Sequence, residues 1–199
     1  MAKSDAPPPR RQSIGAKRNP ETAEAIRAAA LEILHSEGYA GFSVEKVAKR
    51  ARAGKPTIYR WWPSRAALLL DVYHLQKSGI EYPVTDDIED DLVMYLQSLF
   101  AHWLDGPSGD IFRSIMAEAQ VESSAREVFL EYVSTRRERL AEMLAAPRSG
   151  KKLAIEATRI ADLTISYAWM RLLTQTLDVP EKDIRLSVRC ILAGAQTSI

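Results

Sequence analysis

The sequence predicts an all-α fold of about nine helices, with an N-terminal helix-turn-helix domain and a C-terminal helical body. Two observations predict it. From residue 87 onward every segment repeats its apolar residues at helical spacing, and none alternates as a strand would. Residues 43–62 hold two short helical patterns separated by a tight turn, which is the geometry of a helix-turn-helix. We therefore expect a disordered basic arm over residues 1–18, a DNA-binding domain over 19–65 and a helical body over 66–199.

Charge is divided unequally along the chain. Residues 1–65 contain 13 Lys and Arg against 6 Asp and Glu, whereas the rest of the chain contains 14 against 20. A basic N-terminal third on an acidic body suggests that one end binds a polyanion. Arg10, Arg11, Lys17 and Arg18 either follow DNA phosphates or belong to a solvated tail, and the sequence leaves both open.

Composition also indicates the cellular compartment in which the protein is expected. The single cysteine, Cys190, excludes an intramolecular disulfide framework and fits a reducing environment. No apolar run approaches the roughly 20 residues of a membrane span, and the first residues lack the apolar core of a secretory signal. We expect a soluble cytoplasmic protein with no membrane partner.

The first three helices form the predicted DNA-binding domain. Helix 1 begins near Pro20 after the cap Asn19 and ends at Gly38. Ser43 caps helix 2, and Phe42 packs on Val47 as a hydrophobic staple. The stripe that helix 1 buries is Ile26, Ala29, Ala30, Ile33 and Leu34.

Helix 3 begins after Gly54 and has one apolar side and one polar side. At about 100° per residue, Ile58 and Trp62 share the buried side. Arg60 points outward, with Thr57 and Tyr59 on the flanks. Arginine can bridge guanine O6 and N7, threonine can contact a thymine methyl, and Tyr and Lys can bind phosphate. The alternative is an exposed helix that is merely basic, and the preceding helix and turn favour DNA.

Residues Tyr39 to Leu70, with "FSVEKVAKRA" followed by "GKPTIYRWWPSRAALLL", resemble the DNA-binding domain of TetR-family transcriptional repressors. Two positions depart from the family pattern, because Arg52 replaces the usual Gly and Gly54 replaces Ser or Thr. Arg52 then either holds an unusual backbone conformation or marks a reshaped turn from which the arginine reaches phosphate. The DNA-binding residues expected from the pattern and the resemblance are Ser43, Arg52, Gly54, Lys55, Pro56, Thr57, Tyr59, Arg60, Trp61 and Arg65.

The remaining helices are predicted from their apolar spacing. Ser64 caps a fourth helix that runs to about Lys77, and Arg65 in its first turn can hold a phosphate. This helix carries Leu68, Leu69, Leu70, Val72 and Tyr73 and is followed by a linker loop over 79–86. Five further helices are predicted over about 87–104, 110–120, 124–145, 152–176 and 181–196.

Helices 8 and 9 are predicted to form a dimer interface. Residues 163–170 carry no charge, and a helix that is apolar on most sides must be buried on most sides. A second subunit would cover one side in a four-helix interface, and burial within one subunit is the alternative. The resemblance also implies the dimer. The residues expected there are Ile160, Thr164, Ala168, Ile184, Val188, Ile191 and Leu192.

Aromatic side chains in the body are candidates for a ligand cavity between helices, although core packing alone also explains such stripes. The resemblance implies an effector pocket in this body, and the absence of a charged marker suggests an apolar or aromatic small-molecule effector. The predicted lining residues are Trp103, Phe112, Met116, Phe129, Tyr132 and Tyr167.

The sequence contains no catalytic or metal-binding constellation of weight. His35, His74 and His102 are widely spaced, and there is no phosphate loop or nucleophile-elbow motif. No cofactor is expected. We expect a homodimeric repressor that a small molecule releases from a palindromic double-stranded DNA operator. A helical small-molecule-binding protein with lost or weak DNA binding is the alternative, an all-α enzyme is less favoured, and activation instead of repression stays open.

Overall fold

The computed structural model describes residues 19–76, 80–148 and 156–196, and these residues form helices and connecting loops only. The predicted basic arm over 1–18 lies outside the described residues. The helices are α1 (Pro20–Gly41), α2 (Val44–Arg50), α3 (Lys55–Trp61), α4 (Arg65–Gln76), α5 (Ile88–Leu104), α6 (Ser108–Val121), α7 (Ser123–Ala145), α8 (Ala157–Leu173) and α9 (Glu181–Gln196). The all-α prediction is confirmed.

Helix α1 begins as predicted, and its regular part ends at Gly38 as predicted. The Asn19 carboxamide oxygen accepts a hydrogen bond from the Glu21 amide at 3.0 Å and so caps the first turn. Gly38, the predicted last residue, has φ of 66° and bends the chain, which then adds one short turn to Gly41. The predicted apolar stripe is buried throughout.

The body helices follow the predicted segments closely. Helices α6 and α7 start at Ser108 and Ser123, slightly before the predicted residues. Helix α8 ends at Leu173 instead of residue 176, because Gln175 takes a left-handed conformation with φ of 56°. The start predicted for this helix, residues 152–155, lies outside the described residues.

The packing joins the two predicted domains into one apolar core. Helix α4 packs on α1, α6 and α7, so it belongs to both the N-terminal helices and the body. In the body, α7 packs on α6 and α8, and α9 packs on α5 and α8. Among the described helices, none is long and apolar enough to cross a membrane.

A buried ion pair fixes the loop between α4 and α5. Asp91 is fully buried, and its Oδ1 accepts a hydrogen bond from the Thr85 amide at 2.8 Å. Its Oδ2 pairs with the guanidinium of Arg148, whose Nε lies 3.1 Å away. Arg148 also donates to the backbone carbonyls of Met143, Leu144, Ala146 and Thr85 at 2.9–3.1 Å. The pair therefore clasps the loop to the C-terminal end of α7, and we refer to it below as the Asp91–Arg148 clasp.

Candidate nucleic-acid interface and ligand cavity

Helices α2 and α3 form a compact pair that exposes one polar face. The Ser43 hydroxyl accepts a hydrogen bond from the Lys46 amide at 3.2 Å and caps α2. Ile58 and Trp62 are buried, with 1% and 3% of their surface exposed, and anchor α3 against the core. The opposite face is available to a ligand: Lys55, Pro56, Tyr59 and Arg60 are exposed, and Thr57 and Trp61 are partly exposed.

The turn between these helices keeps a regular geometry despite its arginine. Arg52 has φ of 52°, in the left-handed region. Its amide donates to the Lys49 carbonyl at 3.4 Å, and the Ala53 amide donates to the Ala48 carbonyl at 3.0 Å. These two hydrogen bonds define a Schellman motif, in which glycine is the usual residue at the left-handed position. Of the two alternatives for Arg52, the structure has the unusual backbone conformation within an ordinary turn, and the exposed side chain stays a predicted phosphate contact.

We expect Arg52→Gly to raise the free energy of unfolding by about 1 kcal/mol, because a non-glycine residue in the left-handed region costs about 1–2 kcal/mol. Urea denaturation followed by circular dichroism measures the change. Arg52→Ala is the matched control, since it removes the same charge and keeps the backbone penalty. Equal unfolding free energies for the two variants would contradict the proposed cost. If Arg52 binds phosphate, both variants lower the salt dependence of DNA binding by about one ion.

Lys55 already has an acidic partner within the chain. Its Nζ lies 2.6 Å from Glu45 Oε1, and this hydrogen bond keeps the pKa of the Glu45 carboxyl below its usual value. Both side chains are about half exposed, so water screens the pair. A phosphate contact by Lys55 therefore exchanges one partner for another.

Arg65 lies where the N-terminal helices meet the body. Its guanidinium is 4.3 Å from the centroid of the Tyr39 ring, and its Nε is 3.5 Å from Glu118 Oε2 on α6. The Tyr39 hydroxyl donates to the same carboxylate oxygen at 3.2 Å. Burial raises the pKa of Glu118, and the charge of Arg65 opposes that rise. A phosphate at Arg65, as predicted from the sequence, would have to compete with Glu118.

Asp71 ties α4 to the end of α3 and to α1. Its Oδ2 accepts hydrogen bonds from Trp62 Nε1 at 2.7 Å and from Arg27 Nε at 2.9 Å. Trp62 directly follows α3, so this hydrogen bond connects α4 to the helix that carries the exposed polar face. We call this arrangement the Asp71 bridge.

Three of the predicted ligand residues line a small enclosed cavity of about 20 Å³ between α5, α6, α7 and α8, namely Trp103, Phe112 and Tyr132. Phe129 lies behind them, 6.1 Å from Phe112 between ring centroids. Met116 and Tyr167 do not line the cavity. The lining residues not predicted from the sequence are Tyr95, Leu99, Val133, Arg136, Ile165 and Trp169.

A second, open cleft of about 270 Å³ lies between α4 and α7. Tyr132 and Arg136 line both the cleft and the cavity, so they separate the two spaces. The other residues along the cleft are Ala67, Leu70, Asp71, His74, Val128, Glu131 and Thr135. The spacing of Phe129, Tyr132 and Arg136 at i, i+3 and i+7 places the arginine on the aromatic face of α7, and this signal was available in the sequence.

The predicted dimer residues need a correction. Six of them are buried within the single chain, and Ile191 is partly buried. They pack against the subunit's own core because they occupy the side of α8 and α9 that faces it. The opposite side leaves large apolar residues at least half exposed, which we call the exposed stripe: Leu163, Met170 and Leu173 on α8 and Leu186 on α9.

Comparison with known proteins gives matches over most of the chain. Residues 26–72 match the family model for bacterial regulatory proteins of the tetR family, and residues 82–191 match that for the tetracyclin repressor-like C-terminal domain. The uncharacterised regulator YdeS of Bacillus subtilis is 28% identical over 116 residues, which is 58% of this chain and 58% of YdeS. The repressor TetR of Mycobacteroides abscessus is 47% identical over 45 residues, covering 23% of this chain and 24% of that one.

The fold is also similar to solved structures. The TetR family transcription regulator SCO0332 superposes with a TM-score of 0.67 at 24% identity, covering 90% of this chain and all of that one. A transcriptional regulator from Rhodococcus sp. RHA1 superposes with a TM-score of 0.66 at 17% identity, covering 88% and 99%. At these identities the structures support the fold.

Proposed function

The chain belongs to the TetR family of transcriptional regulators, which are DNA-binding proteins and not enzymes, and from this premise we propose that it is a homodimeric repressor. Each subunit places α3 in a major groove of a roughly palindromic operator, with the two half-sites about one helical turn apart. A small molecule bound in the body releases the protein from the operator.

The exposed polar face of α3 is the observation that carries the DNA-binding proposal. Buried Ile58 and Trp62 set its orientation, and the exposed Lys55, Tyr59 and Arg60 supply a cation, a phenol and a guanidinium. The intact Schellman turn supports it further, because Arg52 departs from the family pattern without disturbing the hydrogen bonds of the turn between α2 and α3. The proposed contacts are those predicted from the sequence, with Arg65 as the residue whose phosphate contact requires release from Glu118.

Titration of the purified protein with its own upstream DNA tests the proposal. We expect saturable binding that survives an excess of random DNA and weakens with salt as phosphate contacts are lost. Binding that disappears equally from both DNAs as salt rises would favour the small-molecule-binding alternative.

Arg60→Ala is expected to weaken operator binding by about 10- to 100-fold, because a good base contact is worth about 1–3 kcal/mol. Binding to random DNA should fall much less. Fluorescence anisotropy with labelled duplexes measures both affinities. Arg137→Ala on α7 is the matched control, since it removes an exposed arginine far from α3 along the chain. Equal losses on both DNAs would mean that Arg60 contacts phosphate only.

The proposed release depends on α4. This helix lines the cleft with Asp71, and the Asp71 bridge holds Trp62 at the end of α3. A molecule that enters between α4 and α7 would move α4 and change the separation of the two recognition helices. Coupling between the two sites is typically about 1–3 kcal/mol.

Dimerisation is assigned to the exposed stripe. A helix side that carries Leu163, Met170 and Leu173 without an interrupting charge is unusual on a free surface. The matching helices of a second subunit would cover it in a four-helix arrangement about a twofold axis.

A further inference from the structure

Arg136 is the only charged side chain among the described residues that line the enclosed cavity. The other lining side chains are aromatic or aliphatic. The guanidinium carbon lies 5.2 Å from the centroid of the Tyr132 ring, so the aromatic face holds the cation in place. A permanently charged group therefore stands at the edge of an aromatic space.

The guanidinium has no carboxylate partner within the described part of the chain, and the groups that interact with it are the phenols of Tyr132, Tyr82 and Tyr73. No carboxylate oxygen there lies within 4.0 Å of it, and its buried Nε has no hydrogen-bond acceptor. Arginine stays protonated at every physiological pH, and an unpaired buried donor is costly. The neighbouring arginine shows the ordinary alternative, since Arg137 is exposed and lies 3.9 Å from Asp162.

The acidic side chains of the adjacent cleft do not fill this role. Asp71 Oδ2 already accepts two hydrogen bonds in the Asp71 bridge, and Glu131 is an exposed residue of α7. His74 faces the same cleft, with its ring 5.2 Å from that of Tyr132. The imidazole of His74 and the guanidinium of Arg136 thus both lie beside the aromatic wall that Tyr132 forms.

We propose that the effector is a planar aromatic molecule with one carboxylate, which pairs with the guanidinium of Arg136 while its ring packs among Trp103, Phe112 and Trp169. This inference rests on the proposed effector function and names the chemical class of the ligand. It adds a carboxylate to the apolar or aromatic effector expected from the sequence. Arginine and carboxylate match in shape and form two parallel hydrogen bonds, which is the strongest pairing open to this side chain.

The cavity and the cleft on either side of Arg136 provide the route by which the proposed effector enters. The enclosed cavity of about 20 Å³ holds roughly one water molecule. Displacement of the Tyr132 and Arg136 side chains joins it to the cleft of about 270 Å³. The combined space falls just short of the roughly 300 Å³ at which ligand pockets begin.

Isothermal titration calorimetry of the full chain tests the proposal with benzoate, 1-naphthoate and 9-anthroate, each paired with its neutral carboxamide. We expect at least one carboxylate to bind at least tenfold more tightly than its amide. Arg136→Gln should abolish this preference, and Arg136→Lys should retain part of it. Arg137→Gln should leave it unchanged.

Three results would overturn the inference: equal affinities of acid and amide, no binding by any of the three carboxylates at 10 mM, or an equal loss of preference in the Arg137→Gln variant. The calorimetry contains no DNA, so a negative result would argue against the carboxylate effector without bearing on the DNA-binding proposal. Operator binding measured separately, with and without the best carboxylate, shows whether the proposed release occurs. Urea unfolding of each variant confirms that a lost preference does not come from a lost fold.

Discussion

Asp91→Ala is expected to lower the free energy of unfolding by about 3–5 kcal/mol, the range found when one member of a buried ion pair is removed. The change leaves Arg148, with only 5% of its side chain exposed, without its counter-charge. It also removes the acceptor for the Thr85 amide. Urea denaturation of wild-type and variant proteins, followed by circular dichroism, measures the loss.

Two controls distinguish the effect of leaving a buried charge unpaired from the effect of removing any carboxylate. Asp90→Ala removes a neighbouring carboxylate that pairs with Arg185 at the surface, and we expect a far smaller effect because water screens that pair. The double variant Asp91→Leu with Arg148→Met leaves no buried charge and should recover much of the stability. If the double variant is as unstable as Asp91→Ala, the hydrogen bonds of Arg148 to the carbonyls matter more than the charge pairing.

The double variant Leu163→Glu with Met170→Glu is expected to convert the proposed dimer to a monomer. Both side chains are about half exposed in the single chain, so the subunit should still fold. In a dimer the two glutamates of each subunit would be buried in an apolar interface, where an unpaired charge is strongly unfavourable. Analytical ultracentrifugation measures the change of mass in solution.

Loss of the dimer should weaken operator binding by about 10²–10⁴-fold, because a linked pair of recognition helices gains that much from effective concentration. Leu130→Glu on α7 is the control, since this residue is equally exposed and lies outside the stripe. A variant that stays dimeric would mean that the interface lies elsewhere. A monomer that retains full operator affinity would contradict the need for two linked recognition helices.

The order and type of the helices could be predicted because their apolar residues repeat at helical spacing and their capping residues mark the starts. Ser43 and Asn19 cap their helices as expected, and Ile58 and Trp62 are the buried side of α3. Apolar spacing fixes which side of a helix is buried when the other side is polar. Helix α3 meets that condition.

Helix α8 does not meet it. Thr164 is fully buried while Leu163 is 54% exposed, so the more apolar neighbour lies outside. A helix that is apolar on most sides has two candidate interfaces, and only its packing partners decide which one faces the subunit's own core. Composition alone could not show which of the two sides of α8 faces the core.

Arg136 was missed for a different reason. It stands in a run with Arg137 and Arg139, which by sequence is typical of a solvated helix face. Its spacing from Phe129 and Tyr132 places it on the aromatic side, but a cavity forms only when four helices meet. The end of α8 also depended on the left-handed backbone conformation of Gln175.

The Asp71 bridge has a consequence for how a cell would set the response. Under the proposed mechanism the position of α4 affects the binding of both operator DNA and effector. Operator DNA must therefore weaken effector binding by the same factor by which effector weakens DNA binding. Protein already seated on DNA then responds at higher effector concentration than protein free in solution. The effector concentration that half-saturates the protein is therefore higher when operator DNA is in excess.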